Sequence, residues 1–152
     1  MSTGSVFQLP TTRPRLGPIN VTDLTAPKIL EQMKNLVIIP TYNELDNIRP
    51  MIDKVFSLPE KFDLLVIDDG SPDGTAAIVK EKQQQYPGQL HLIERSGKLG
   101  LGTAYIAGFR WALAHGYDLV YEMDCDFSHN PDDLVRLYEA AAEGNDVVVG
   151  SR

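Results

Sequence analysis

Two aspartates separated by one residue are the sharpest chemical feature of this sequence. Asp124 and Asp126 follow the apolar run Leu119–Met123 and precede the segment SHNP at 128–131. Carboxylates so placed at the end of a strand can both reach one hard divalent cation, and Mg²⁺ and Mn²⁺ prefer such oxygen ligands. The alternative is a solvated turn in which an aspartate caps the next helix. The preceding strand favours the metal interpretation, with a bound diphosphate completing the coordination.

A second acidic pair and a glycine-rich loop follow two other apolar runs. Asp68 and Asp69 open the segment DDGSPDGT at 68–75. One carboxylate could accept hydrogen bonds from a nucleobase while the other holds the loop, and the alternative is an ordinary Asp-Gly turn. The segment RSGKLGLG at 95–102 carries Lys98 and three glycines, which is typical of an anion-binding loop. It matches neither a P-loop nor a dinucleotide fingerprint, which disfavours a nucleotide-dependent oxidoreductase.

Short apolar runs alternate with helical patterns and must position these groups. Their unbroken character is typical of strands buried on both faces, and five occur: Leu36–Ile39, Leu64–Ile67, Leu90–Ile93, Leu119–Met123 and Val147–Val149. The order βαβαβαβαβ predicts an α/β fold with a doubly wound, mostly parallel sheet and helices on both faces. Since ligands of such sheets bind at the carboxyl ends of the strands, the acidic loops are expected to meet at one edge.

Composition and charge restrict the class of protein. The 152 residues suit one domain, and the net charge of −7 argues against a nucleic-acid partner. Because the chain is acidic, binding of an anionic substrate would need a local group that attracts anions, such as a metal ion or backbone amides. The single cysteine, Cys125, is interpreted as a small buried residue, and it excludes an internal disulfide.

The first 32 residues differ from the rest of the chain. They hold four of the ten prolines and show no periodic apolar face, which predicts an extended or disordered leader over residues 1–32. The ordered domain is predicted over residues 33–152. We therefore expect a chain that starts at Met33 to melt within a few degrees of the full chain.

Five motifs in a fixed order carry a resemblance to a known family. They are PTYNE at 40–44, DDGSPDGT at 68–75, GKLGLG at 97–102, MDCDFSHNP at 123–131 and GSR at 150–152. The set resembles inverting family 2 glycosyltransferases, and more narrowly those that act on polyprenyl or dolichyl phosphate with mannose. The resemblance covers about residues 33–152. It implies a Rossmann-like GT-A fold, of which this chain holds the N-terminal, nucleotide-sugar-binding part.

The resemblance also implies roles for individual residues. Asp124 and Asp126 would serve the metal and the diphosphate, with Ser128 as a further metal-side group and Asp126 at the catalytic centre. Arg152 corresponds to a catalytic arginine near the acceptor phosphate. The nucleotide sugar would be bound by the remaining candidates, which are Pro40, Tyr42, Glu44, Asp68, Asp69 and Lys98.

The implied reaction transfers a hexose, mannose from GDP-mannose, to a polyprenyl or dolichyl phosphate, with Mg²⁺ or Mn²⁺ as cofactor. The lipid phosphate is already ionised near neutral pH, so no protein base is strictly needed. The further expectations are a cytoplasmic location, peripheral association with the cytoplasmic face of a membrane, and self-association into a homo-oligomer. No nucleic-acid partner is expected.

Two alternatives remain open at the level of sequence. One is a family 2 transferase with another nucleotide-sugar donor or a saccharide acceptor. The other is a nucleotide-binding module without catalytic activity. Relatives continue beyond the position of Arg152 into an acceptor-binding half, so the resemblance predicts a domain truncated at its C-terminus that binds donor but transfers little sugar.

Overall fold

A mostly parallel six-stranded sheet forms the centre of the molecule. A computed structural model describes residues 4–10 and 32–149 of the chain. In chain order the strands are β1 (Ser5–Gln8), β2 (Asn35–Thr41), β3 (Asp63–Asp68), β4 (Leu90–Glu94), β5 (Leu119–Glu122) and β6 (Val147–Val149). Their order across the sheet is β4-β3-β2-β5-β1-β6. Strands β4, β3, β2 and β5 pair in parallel, while β1 is antiparallel to both β5 and β6.

In the part of the chain that the structure describes, four helices cover the two faces of this sheet. They are α1 (Leu45–Phe56), α2 (Thr75–Gln83), α3 (Leu101–Ala114) and α4 (Asp133–Ala142). Buried residues of α1, α2 and α4 share one apolar core with one face of the strands, whereas α3 packs in a second core on the opposite face. The predicted α/β fold with a doubly wound, mostly parallel sheet is therefore confirmed. Among the described helices, none combines the length and apolar character that crossing a bilayer requires.

The apolar patterns in the sequence explain these elements directly. Ile48, Met51, Ile52 and Val55 lie on one stripe of α1, and all four are buried. The run Leu64–Ile67 is buried at every position, because β3 is covered on both faces. Since helical and strand periods bury different sets of side chains, the two patterns also fix which face of each element meets the core.

Part of the predicted extended or disordered leader belongs to the sheet. Residues 5–8 form β1, which lies between β5 and β6 in the sheet. Val6 is buried in the core that α4 covers, and Leu9 is buried in the core of α3. A strand of four residues is too short to show an apolar period in the sequence. It is held in the sheet by pairing with β5 and β6. The other residues of the leader, 1–3 and 11–31, lie outside the described residues, and residue 32 is described.

Helix α3 approaches the sheet most closely at Gly108. A Cβ atom added there would lie 2.7 Å from Cδ1 and 2.9 Å from Cγ2 of Ile38, a fully buried side chain. We therefore expect Gly108→Ala to lower the free energy of unfolding by roughly 1–3 kcal/mol, because overpacking outweighs the gain in helix propensity. Chemical denaturation would measure the change.

The same helix supplies the control for this prediction. A Cβ atom added to Gly102 would meet nothing within 4 Å. Gly102→Ala should therefore leave the free energy of unfolding unchanged or raise it by up to about 1 kcal/mol. Equal stabilisation by both substitutions would show that α3 does not pack on Ile38 as described.

Candidate active site

A cleft opens at the carboxyl ends of the central parallel strands. Its volume is about 240 Å³, and it is lined by Pro40, Thr41, Tyr42, Glu44, Asp69, Lys98, Leu101, Asp124, Cys125 and Asp126. These residues come from the ends of β2, β3 and β5 and from the loop that leads into α3. The cleft therefore lies where ligands bind in open α/β sheets.

The adjacent aspartates after β3 have different environments. The Asp68 carboxylate is buried, and it accepts hydrogen bonds from Thr41 Oγ1 at 2.8 Å, from Ser71 N at 2.9 Å and from Ser71 Oγ at 2.6 Å. It thus ties the end of β2 to the turn that follows β3. Asp69, by contrast, lines the cleft. The structure therefore assigns loop support to Asp68 and leaves Asp69 as the member of the pair that a ligand can approach.

Arg95 holds the Asp69 carboxylate in a fork-like ion pair. Its Nε donates to Asp69 Oδ1 at 2.6 Å and its Nη2 to Oδ2 at 2.8 Å, with both side chains about nine-tenths buried. The hydrogen bond to Asp69 raises the pKa of the Arg95 guanidinium above its ordinary value. Because Arg95 binds both carboxylate oxygens, the Asp69 side chain is held in one orientation at the cleft, and the charge of Arg95 balances its own.

The first turns of α1 and α2 are fastened to each other beside the cleft. Asp73 accepts hydrogen bonds from the backbone N–H of Leu45 and of Thr75, each at 3.0 Å, so one carboxylate serves the N-termini of both helices. Burial opposes its charge, but the hydrogen bonds from Thr75 and Leu45 outweigh burial and lower the pKa of Asp73. Thr75 Oγ1 accepts the backbone N–H of Glu44 at 3.0 Å, which fixes the start of the Glu44 loop.

A lysine and a tyrosine that contact each other also line the cleft. Lys98 Nζ lies 4.9 Å from the centroid of the Tyr42 ring, within the range of a cation–π contact. Both residues border the cleft, and Tyr42 is partly exposed. A positive charge and a partly exposed aromatic ring thus border the cleft together.

Several negative charges lie together around the Asp124–Asp126 segment. The pKa of the Cys125 thiol is raised, first by burial and then by the charges of Glu44, Asp126 and Asp124. Glu122 at the end of β5 also has a raised pKa, first because it is partly buried and then because of the charge of Asp124. The end of β5 therefore lies in a negative electrostatic potential that a bound cation would neutralise.

Hydrogen bonds order the loop that follows these aspartates. Asp126 Oδ1 accepts the backbone N–H of Ser128 at 2.9 Å, and hydrogen bonds from Ser128 lower the pKa of Asp126. Phe127 adopts a left-handed backbone with φ of 61°, which is uncommon for a residue other than glycine. Asp126 is therefore ionised at neutral pH and held on a locally constrained turn.

The structure brings most, but not all, of the predicted site residues together. Pro40, Tyr42, Glu44, Asp69, Lys98, Asp124 and Asp126 line the cleft. Of the other described candidates, Asp68 lies behind the wall, and Ser128 contributes its backbone N–H to Asp126 from an exposed position. Arg152 lies outside the described residues. The interpretation of Cys125 as a buried residue agrees with its exposure of 2%.

Thr41, Leu101 and Arg95 are site residues that the sequence analysis did not single out. Thr41 and Leu101 line the cleft, and Arg95 supports Asp69 from behind it. All three stand within motifs that were recognised, in PTYNE and in the segment 95–102. Their position within these motifs was the signal that could have identified them, because a residue type alone predicts neither the burial of a side chain nor its hydrogen-bond partner.

A doubly wound α/β sheet with an acidic cleft at its strand ends defines a Rossmann-like ligand-binding domain. The chain belongs to glycosyl transferase family 2, whose family model matches residues 36–152. It is 46% identical over 119 residues to the polyprenol monophosphomannose synthase of Mycolicibacterium smegmatis, covering 78% of this chain and 45% of that protein. It is also 46% identical over 120 residues to the undecaprenyl-phosphate mannosyltransferase of Micrococcus luteus, covering 79% and 49% of the two chains.

The fold is shared with solved glycosyltransferase structures. A mannosyltransferase from Pyrobaculum calidifontis, solved in complex with GDP-Man and Mn²⁺, superposes with a TM-score of 0.59 at 24% identity. The alignment covers 74% of this chain and 33% of that structure. The predicted GT-A fold is thus confirmed. This chain spans slightly less than half the length of the two curated relatives.

Proposed function

We propose that this chain forms the donor-binding part of a metal-dependent, inverting glycosyltransferase that moves mannose from GDP-mannose to a polyprenyl or dolichyl phosphate. The observation that carries the proposal is the cleft at the strand ends that Asp124 and Asp126 line together with Lys98 and Tyr42. The names of the two bacterial relatives support a lipid-phosphate acceptor and mannose as the sugar.

The donor atoms in the cleft fit Mg²⁺ or Mn²⁺. Among the described residues, no group of three or more His, Cys, Asp or Glu side chains could hold a metal ion by itself. Two carboxylates, Asp124 and Asp126, do line the cleft. Sites for these hard cations commonly use one or two carboxylates and complete their coordination with water and substrate phosphates. The site we propose is therefore one that forms together with the nucleotide, and Ser128 remains a proposed contributor to it.

The other groups of the cleft suit a nucleoside diphosphate. Lys98 supplies a cation for the phosphates, next to the N-terminus of α3, where unpaired backbone N–H groups favour an anion. Tyr42 offers a partly exposed ring for an apolar or planar part of the donor. Asp69, fixed by Arg95, would accept hydrogen bonds from a base, and Pro40 and Glu44 also line the cleft.

The proposed transfer needs positioning more than proton chemistry. An ionised phosphate oxygen of the lipid forms the new bond to the anomeric carbon. The bond from that carbon to the diphosphate oxygen breaks on the opposite face, and its electron pair leaves with GDP. Such an in-line displacement inverts the configuration, and a divalent cation, when bound, would stabilise the leaving diphosphate. The role of Arg152 at the acceptor phosphate, peripheral membrane association, a cytoplasmic location and self-association all stay predictions.

Calorimetric titration of the chain with a panel of ligands tests this proposal. GDP-mannose, GDP, UDP and UDP-glucose would each be added in the presence of Mn²⁺, in Mg²⁺ and in EDTA. We expect GDP-mannose and GDP to bind with Mn²⁺ or Mg²⁺, and to lose most of their affinity in EDTA. Equal affinity in EDTA would contradict the metal site, and tighter binding of the uridine ligands would contradict the donor.

A further inference from the structure

The imidazole of His129 closes the loop that holds the two cleft aspartates. Its Nδ1 lies 3.2 Å from the backbone nitrogen of Asp124, five residues earlier in the chain. Within this loop, Asp126 accepts the backbone N–H of Ser128. These two hydrogen bonds order the loop, one at its centre and one between its two ends.

The partner of Nδ1 determines which nitrogen carries the proton. A backbone N–H only donates, so Nδ1 must be the unprotonated acceptor, and the neutral ring carries its hydrogen on Nε2. Nε2 itself is buried, and among the described residues it has no hydrogen-bond partner. Among the described residues, the ring therefore makes its hydrogen bond to the main chain of Asp124 and not to a group of the cleft.

We infer that His129 is a positioning residue for the metal-binding aspartates. This inference rests on the proposed function, because it assumes that Asp124 and Asp126 bind the cation. By accepting the N–H of Asp124, the ring fixes the backbone from which that carboxylate projects toward the cleft. His129 does not border the cleft, so it would act through Asp124 and would not touch the substrate.

The left-handed backbone of Phe127 makes such a hydrogen bond necessary. A non-glycine residue in this conformation persists only where the surrounding contacts hold it. Without the hydrogen bond from Asp124 to His129, the loop could relax toward ordinary backbone angles, and the two carboxylates would no longer be held at the cleft. Groups that orient metal ligands in this way typically change metal affinity by about 10- to 100-fold when removed.

Two amide substitutions distinguish this role from a contribution to packing alone. In His129→Asn the amide oxygen can take the place of Nδ1, whereas in His129→Gln the amide group takes the place of Nε2. Mn²⁺ binding in the presence of GDP would be measured by electron paramagnetic resonance of the free ion, beside the melting temperature of each variant. We expect H129N to bind Mn²⁺ within about threefold of the unmodified chain, and H129Q about 10-fold or more weakly.

Hydrogen exchange of the Asp124 amide gives a second readout in the metal-free protein. Protection should survive in H129N and fall in H129Q. Equal Mn²⁺ affinity and equal protection in the two variants would overturn the inference while leaving the proposed function intact. If the unmodified chain binds no Mn²⁺ with GDP, the proposed function is wrong and the positioning role is rejected with it.

Discussion

Asp126→Asn should weaken Mn²⁺-dependent binding of GDP-mannose by about a hundredfold or more, with little effect on folding. Loss of a group that merely orients a metal ligand costs about 10- to 100-fold, and loss of a ligand charge should cost at least as much. The asparagine Oδ1 can still accept the Ser128 N–H, so the turn should be kept. Because Asp126 is exposed, we expect the free energy of unfolding to change by less than about 0.5 kcal/mol.

Asp132→Asn provides a control with the same change in charge. Asp132 is also exposed, and its carboxylate pairs with Lys54 at 2.8 Å on the surface. A surface ion pair of this kind contributes little to stability, and Asp132 does not border the cleft. Calorimetry should therefore find donor affinity unchanged in D132N. Equal losses in both variants would mean that net charge, and not a ligand at position 126, governs binding.

The lowered pKa of Asp126 adds a dependence on pH. Hydrogen bonds from Ser128 hold this pKa below its ordinary value, so the carboxylate stays charged as the solution is acidified toward that value. Protonation, which removes a ligand from the metal, should therefore begin to weaken Mn²⁺ binding only at a pH below the range in which an unperturbed aspartate titrates.

The elements of the sheet could be predicted because burial leaves a direct trace in sequence. Strands β2 and β3 are covered by helices on both faces, so they appear as unbroken apolar runs, and α1 shows its single buried stripe. The carboxyl ends of parallel strands lie at one edge, which places the loops after β2, β3 and β5 together without knowledge of side-chain positions. The position of the cleft thus follows from topology alone.

The division of roles between Asp68 and Asp69 could not be predicted in the same way. Neighbouring residues at a strand end point in different directions, and the sequence does not state which one is inside. The partner that decides is Arg95, which lies 26 residues away from Asp69. Similarly, His129 is one histidine beside a turn. Its residue type does not predict that its ring accepts a hydrogen bond from the main chain of Asp124.

The strand β1 is the largest departure from the sequence-based expectation. Its four residues include one fully buried side chain, Val6, and its partner strands lie more than a hundred residues later in the chain. The family match begins at residue 36, so no family motif marks this strand either. Its position depends on a long-range pairing that local patterns do not encode.

Removal of residues 1–32 should therefore destabilise the protein strongly, contrary to the expectation from composition. Val6 and Leu9 would lose their buried positions, at a cost of roughly 1.5–3 kcal/mol each as an upper estimate. In the described part of the chain, β6 pairs with β1 alone, so it would lose its place in the sheet, and β5 would gain an open edge. We expect thermal denaturation to show a melting temperature lower by about 10 °C or more.

Point variants in the full chain distinguish the strand from the rest of the removed segment. Val6→Asn places an unpaired amide at a site that is 1% exposed, and it should lower the free energy of unfolding by about 2 kcal/mol or more. Gln8→Asn, at an exposed position of the same strand, should change it by less than about 0.5 kcal/mol. If the chain starting at Met33 melts within a few degrees of the full chain and Val6→Asn is silent, β1 does not stabilise the sheet. If Val6→Asn strongly lowers the free energy of unfolding and Gln8→Asn does not, the pairing of β1 with β5 and β6 stabilises the fold from outside the family-matched region.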